Sequence, residues 1–375
     1  MAAAITNLPH EITVDILSRL PIQYLSPLRY VNKTWFKLLT TDHHFAKLHF
    51  DRLIQSNCNP SVLVNRLNKS YKIRADFHLA TEYNSCDKAI KLEPSFDQGV
   101  NCDWYSVHGV CHGLVCLSNN EKVFIWNPVT NVDISILYSP VKSHSSKANI
   151  RTRFAFGYHG DIDAYKVIKI VEEKSFGSQT LTHVSVYTLG IDSSWRTLEE
   201  DRAWFFSTSD SPLVNGVLHW LNTGSGRLFD GVVALDLKTE SFQMILLPHD
   251  VKFDGPIFCP GIKEFGGLLC FYCENLHEGL QIWAMKEYGV VSSWTKQFKV
   301  VKPEVSERFL GITPLGILAH NGEYVIKDRS TELILYDSKS NLSSKLKGFV
   351  FKFTDAHSYI GSIISPRVIN GGHET

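Results

Sequence analysis

The feature that most constrains the fold of this chain is a short apolar strand that recurs five times. It reads VFIWN (Val123–Asn127), VSVYT (Val184–Thr188), VVALD (Val232–Asp236), LQIWA (Leu280–Ala284) and LILYD (Leu333–Asp337). Aligning Trp126, Tyr187, Leu235, Trp283 and Tyr336 gives intervals of 61, 48, 48 and 53 residues. Four copies follow a glycine-led apolar strand that starts at Gly113, Gly216, Gly267 or Gly322. A period of about 50 residues with several short strands per unit is the mark of a propeller built from four-stranded blades. No blade buries both of its faces alone, so the units must stack in a ring. Five units are visible, and SVLVNR (Ser61–Arg66) pairing with GSIIS (Gly361–Ser365) would close the ring and supply a sixth. The alternative is a β-sandwich or two stacked sheets.

The first fifty residues have a different period. Pro9 suits the start of a helix, and Glu11 suits the positive end of its dipole. Ile12, Ile16, Leu17 and Leu20 share one broad face, and Pro21 stops the helix. Ser26 and Pro27 then read as the cap and first residue of a second helix, which carries Leu28, Val31, Trp35 and Leu38 at spacings of three and four. A third short helix begins near Asp42 and presents Phe45, Leu48 and Leu53. About forty residues of helix do not close a core alone. Each large apolar side chain is worth about 1.5–3 kcal/mol when buried, so these stripes need a cover. The cover is either the β-domain or another protein.

Composition narrows the function. The 38 Lys and Arg balance 38 Asp and Glu, so the basic footprint of a nucleic-acid binder is missing. No uncharged apolar run is long enough to cross a membrane as a helix, and the opening residues do not read as a signal peptide. The eight cysteines lack a regular spacing and are read as reduced thiols, which points to the cytoplasm or the nucleus.

Catalytic and metal chemistry find weak support. Cys270 and Cys273 with His277 make half a zinc site, but residues three apart on a strand point to opposite faces. Cys111 beside Leu114 and Val115 reads as a small core residue. Asp161 with Asp163, and Glu199, Glu200 and Asp201, are turn acids that would have to pair to serve a glycosidase-type site. No nucleotide-phosphate loop is present. The expectation is therefore no catalytic residue, no metal and no cofactor. Two stretches suit recognition of a target instead. Trp204, Phe205 and Phe206 form an aromatic run beside a polar stretch. Lys142, His144, Lys147, Arg151 and Arg153 could clamp an acidic or phosphorylated motif.

Leu8-Pro9, Ile12, Ile16-Leu17, Leu20-Pro21, Leu25, Leu28, Val31, Lys33 and Trp35 resemble the F-box motif over roughly residues 5–48. The later segments HGLVCL…VFIWNPVT, FAFGYHGDIDAYKVIKI, VNGVLHWL and IWAMKEYGVVSSWTK resemble the kelch-like F-box-associated domain, best populated in plants. The resemblance implies an α+β chain divided by segments: a three-helix F-box over 1–55 and an all-β propeller of five or six blades over 61–370. It also implies that Leu8, Pro9, Ile12, Ile16, Leu17, Leu20, Pro21, Leu25, Leu28, Val31 and Trp35 bind a Skp-type adaptor, and through it a cullin and a RING subunit. The chain would then be the non-catalytic, target-recognising subunit of an SCF-type ubiquitin ligase. The rival readings are a binding scaffold without ubiquitin transfer and a propeller-fold hydrolase.

Overall fold

The computed structural model describes residues 8–56, 60–66, 76–80, 89–97, 105–138, 149–174, 180–199, 204, 206, 211–222, 229, 231–248, 258–275, 279–300, 313–317, 323–327, 333–337, 339–340, 342–345 and 353–372. Helices α1 (His10–Leu17), α2 (Ile22–Leu28), α3 (Lys33–Thr40) and α4 (His43–Gln55) come first, and a short α5 (Pro366–Ile369) comes last. Among the described residues no helix is long and apolar enough to cross a membrane.

Between the helices lie strands in six antiparallel four-stranded sheets, the blades of a closed ring. The first three strands are β1 (Ser61–Arg66), β2 (Phe77–Ala80) and β3 (Ile90–Leu92). Blade 1 holds β4 (Ser106–Cys111), β5 (Leu114–Ser118), β6 (Lys122–Asn127) and β7 (Val132–Leu137). Blade 2 holds β8 (Asn149–His159), β9 (Ala164–Lys174), β10 (Leu181–Thr188) and β11 (Arg196–Leu198). Blade 3 holds β12 (Leu213–Val214), β13 (Val217–Asn222), β14 (Gly231–Asp236) and β15 (Phe242–Ile245). Blade 4 holds β16 (Phe258–Phe265), β17 (Leu268–Asn275), β18 (Gly279–Met285) and β19 (Trp294–Val300). Blade 5 holds β20 (Thr313–Ile317), β21 (Glu323–Lys327), β22 (Leu333–Asp337) and β23 (Leu342–Lys345). Blade 6 joins β24 (Phe353–Tyr359) to β1, β2 and β3.

The five recurrent motifs are the third strands of blades 1 to 5. That strand is packed on both faces between neighbouring blades, so apolar residues run through it without alternation. The glycine-led segments are the second strands. His112-Gly113, Asn215-Gly216 and Gly266-Gly267 each place two successive residues at positive φ, as a two-residue type I′ hairpin turn requires. Gly322 lies outside the described residues.

Ring closure differs from the expected pairing. β1 pairs with β24, from Ser61 opposite Tyr359 to Arg66 opposite Phe353, and not with Gly361–Ser365. The GSIIS stretch is apolar because it passes beneath the helices as a buried strap. The helices differ too. The expected second helix is two helices, and Pro27 lies in the last turn of α2 instead of opening it. Asn32 caps α3, accepting the Trp35 N–H on Oδ1 at 2.8 Å. Asp42 caps α4 on the Phe45 N–H at 2.9 Å, as the sequence indicates.

The tight turns joining first to second and third to fourth strands share one face of the ring. The helices sit on that face, over blades 1 and 2. Second-to-third connections and the links between blades emerge on the opposite face.

Candidate functional site

The helical segment divides its apolar residues between two destinations. Leu17, Leu25, Trp35, Leu38, Leu39, Phe45, Ala46 and Phe50 are buried in one cluster with propeller residues, among them Leu114 and Ile125 of blade 1 and Phe156 and Tyr165 of blade 2. Val14, Leu20, Ile22 and Leu28 pack half-buried against that cluster. A second set stays in water: Leu8 at 37% exposure, Ile12 at 48%, Ile16 at 44%, Val31 at 48% and Phe36 at 41%, with Tyr24 and Tyr30 more exposed still. On α1 the division follows helical geometry. Ile12 and Ile16, four residues apart, face solvent, while Thr13 and Leu17, also four apart, face inward.

Of the residues that the F-box resemblance assigns to an adaptor, Leu8, Pro9, Ile12, Ile16, Pro21 and Val31 are therefore exposed. Leu17, Leu25 and Trp35 are not on the surface. They support the bare face from beneath, buried in the cluster that the helices share with the propeller. Leu20 and Pro21 line a groove of about 600 Å³ between the end of α1 and the last turns of α4, with Arg19, His49, Arg52 and Leu53.

Polar contacts fix the angle at which the bare face is held. Arg19 grips Asp15 bidentately on α1, at 2.9 and 3.1 Å, and Arg52 of α4 reaches the same carboxylate at 2.9 Å. The Arg19 hydrogen bond, with Arg52 adding to it, holds the Asp15 pKa below its ordinary value. His49, buried on α4, donates Nε2–H to the Leu20 carbonyl at 2.8 Å, and burial lowers its pKa. These contacts tie α4 to α1 and to the turn after it.

A second set ties α4 to the propeller. Lys47 Nζ donates to the Tyr158 hydroxyl and, at 3.2 Å, to Asp163 Oδ1 on the first hairpin turn of blade 2. Tyr158 also donates to Asp163, and these two bonds outweigh burial and lower the Asp163 pKa. Burial opposes the Lys47 charge, but its bonds to Tyr158 and Asp163 prevail and raise its pKa. The Phe50 ring lies 5.1 Å from that of His112, whose Nδ1 meets the Tyr165 hydroxyl at 2.9 Å. Burial pushes His112 down to about 4.

The residues expected to recognise a target fare differently. Trp204 and Phe206 are buried, at 5% and 3% exposure, in the core between blades 2 and 3, where Phe206 meets Trp220 edge-on at 5.3 Å. They hold blades together and offer no recognition surface. Phe205 lies outside the described residues, as do Lys142, His144 and Lys147. Arg153 is buried and paired with Glu172 at 3.1 Å, so it is a strut inside blade 2 and not a clamp. Among the described residues of this set, Arg151 alone is exposed, on β8.

Positions considered for chemistry have structural roles. Cys270 and Cys273 point to opposite faces of β17, one into the core shared with blade 5 and one into the core shared with blade 3. His277 lies outside the described residues, among which no three metal-ligating side chains converge. Cys111 is buried, and desolvation pushes its thiol up to about 12. Asp161 is ion-paired with Lys238 at 2.7 Å. The central channel holds a cavity of about 290 Å³ lined by His108, Lys263, Glu264 and His357. Glu264 accepts the Gly267 N–H at 2.5 Å, and burial raises its pKa.

Comparison with known proteins fits this division. Residues 5–51 match the family described as F-box-like. Residues 68–357 match the F-box associated beta propeller domain. In Arabidopsis thaliana, F-box protein At3g07870 is 27% identical over 90% of this chain and 87% of its own length. F-box protein CPR1 of the same plant is 26% identical over 91% and 84%. F-box/kelch-repeat protein At3g23880 is 24% identical over 96% of each. With four helices leaving one apolar face bare above a six-bladed ring, and with both segments matched in this order, the chain belongs to the F-box proteins that carry an F-box associated β-propeller domain.

Proposed function

We propose that this protein is the target-recognising subunit of an SCF-type ubiquitin ligase and performs no chemistry of its own. The observation that supports this most directly is the bare stripe of Ile12 and Ile16, with Leu8 just ahead of it, on a helix whose other side is already buried. The β-domain has taken all the apolar surface that it covers, and the remainder is a docking face for a Skp-type adaptor. Cullin and RING subunits would follow through that adaptor. The far face of the ring, where the blade-to-blade links emerge, would hold the target. Holding target and ubiquitin-charged enzyme on one assembly makes transfer nearly intramolecular. Such a subunit works in the cytosol or the nucleus, where buried thiols such as Cys111 and Cys116 stay reduced.

The test is co-purification with a Skp-type adaptor, comparing the wild type with the double variant Ile12→Asp, Ile16→Asp. Retention by the wild type and loss in the variant, with unchanged thermal stability, is the expected result. Equal retention of both removes the adaptor reading. Comparing ubiquitinated proteins in cells with and without the chain then identifies targets.

A further inference from the structure

The last described segment takes part in two separate closures. As β24 it fills the first position of blade 6 and locks the ring against β1. It then continues through residues 360–365 under the helices. The Ser362 and Ile364 carbonyls accept both N–H bonds of the buried Asn127 side chain, at 2.9 and 2.7 Å. The Val129 N–H donates to Asn127 Oδ1 at 2.8 Å, which fixes the orientation of that amide. Ile363 and Ile364 are buried in the same cluster as Leu17, Leu25, Trp35 and Phe50. Gly361 lies beside Ile22 of α2 and Val129 of blade 1, so close that a Cβ there would meet Val129 Cγ2 at 2.9 Å and Ile22 Cδ1 at 3.5 Å. The Tyr359 hydroxyl donates to the Gly113 carbonyl at 3.2 Å, and Asn370 accepts the Gly190 N–H on Oδ1 at 3.2 Å.

We propose that this strap makes presentation of the helical docking face conditional on closure of the ring. A chain whose sixth blade is open has its strap displaced from Asn127 and from the cluster beneath Trp35. The helices then lose part of the floor on which they are packed. Two events distant in sequence, pairing of β1 with β24 and seating of α1 to α4, thereby become one cooperative unit. Since β24 closes the sixth blade, only a chain whose ring is complete offers the face. The consequence for adaptor recruitment rests on the function proposed above, but the coupling itself does not.

Hydrogen exchange on the full chain tests the coupling. Leu63, at 1% exposure, packs in the core between blades 6 and 1 with Tyr359, away from the helices. Leu63→Ala is expected to raise exchange in Ser61–Arg66 and in residues 33–55 by the same factor, at least tenfold, while β14 and β18 keep wild-type protection. Ile364→Ala should raise exchange in residues 33–55 more than in Ser61–Arg66. If Leu63→Ala opens blade 6 while residues 33–55 stay protected, the proposal is overturned. Should Leu63→Ala unfold the whole ring, the milder Leu63→Val carries the same comparison. Coupled exchange with no adaptor bound by the wild type would leave the coupling standing and remove the proposed function.

Discussion

Ile16 and Leu17 are neighbours on α1 with opposite fates, and that contrast gives the sharpest test of the docking face. Leu17 is 2% exposed and sits in the shared core, whereas Ile16 is 44% exposed and Ile12 is 48% exposed. Full burial of such a side chain is worth about 1.5–3 kcal/mol, so covering the half that remains in water is worth roughly 1 kcal/mol for each isoleucine. Ile16→Ala or Ile12→Ala should therefore weaken adaptor binding about fivefold, and the pair about thirtyfold. Neither should change folding stability by more than about 0.5 kcal/mol. Leu17→Ala leaves a cavity under the module and should lower stability by about 2–5 kcal/mol. Calorimetric titration with a Skp-type adaptor gives the first quantity, and urea unfolding followed by circular dichroism gives the second. The reasoning fails if Ile16→Ala destabilises the chain as much as Leu17→Ala does. It fails equally if the Ile12, Ile16 double substitution leaves the affinity within twofold of wild type.

Burial holds His112 and His219 at about 4, below their ordinary value. The unfolded chain therefore binds protons that the folded chain refuses, and stability must fall as pH drops from about 6.5 towards 4, by up to about 1.4 kcal/mol per pH unit for each ring. Urea midpoints at pH 7, 6 and 5 measure this slope. His219→Asn should flatten it, and an unchanged slope would exclude that ring as a source. Phe206→Ala should lower stability by about 3–5 kcal/mol, as expected of a blade core; loss of a target with stability intact would restore Phe206 as a recognition residue. Gly113→Ala combines a φ of +73° with a Cβ placed 2.6–2.8 Å from Ser362, so it should lower the urea midpoint and loosen the strap, and a neutral outcome would contradict the close packing described here.

The ring was legible in the sequence because the third strand of each blade is buried on both faces, and apolar runs such as VFIWN have few other uses. Gly113 and Gly216 marked strand starts for the same kind of local reason, and the structure adds that each closes a hairpin turn with the residue before it. The closing strand was not legible. FTDAHSY reads as polar, and of its later residues Ala356 and Tyr359 are buried while His357 and Ser358 line the channel cavity. GSIIS looked more like a strand, yet its apolar character comes from being pressed between helices and blades. Nothing in the helical spacing singled out Asn32, yet it caps α3 where the expected second helix breaks in two. Trp204, Phe206 and Arg153 show the opposite failure. Aromatic and basic residues suit interfaces, but nothing local distinguishes an exposed one from one whose partner, such as Glu172 or Trp220, lies on another strand. The exposed half of the helical stripe required the fold, since helical spacing alone does not say which neighbour is already covered.

Because the helices sit on the hairpin-turn face and the blade links open on the other, the ring acts as a fixed spacer. Strands of about six residues at roughly 3.3 Å each make it some 20 Å thick. Cargo gripped on the far side would thus be kept at a set standoff from whatever machinery is hung on α1. Under the proposed function, only lysines on a part of the cargo that reaches around or beyond the rim would come within range, and the thickness of the disc would act as a filter on which sites are marked.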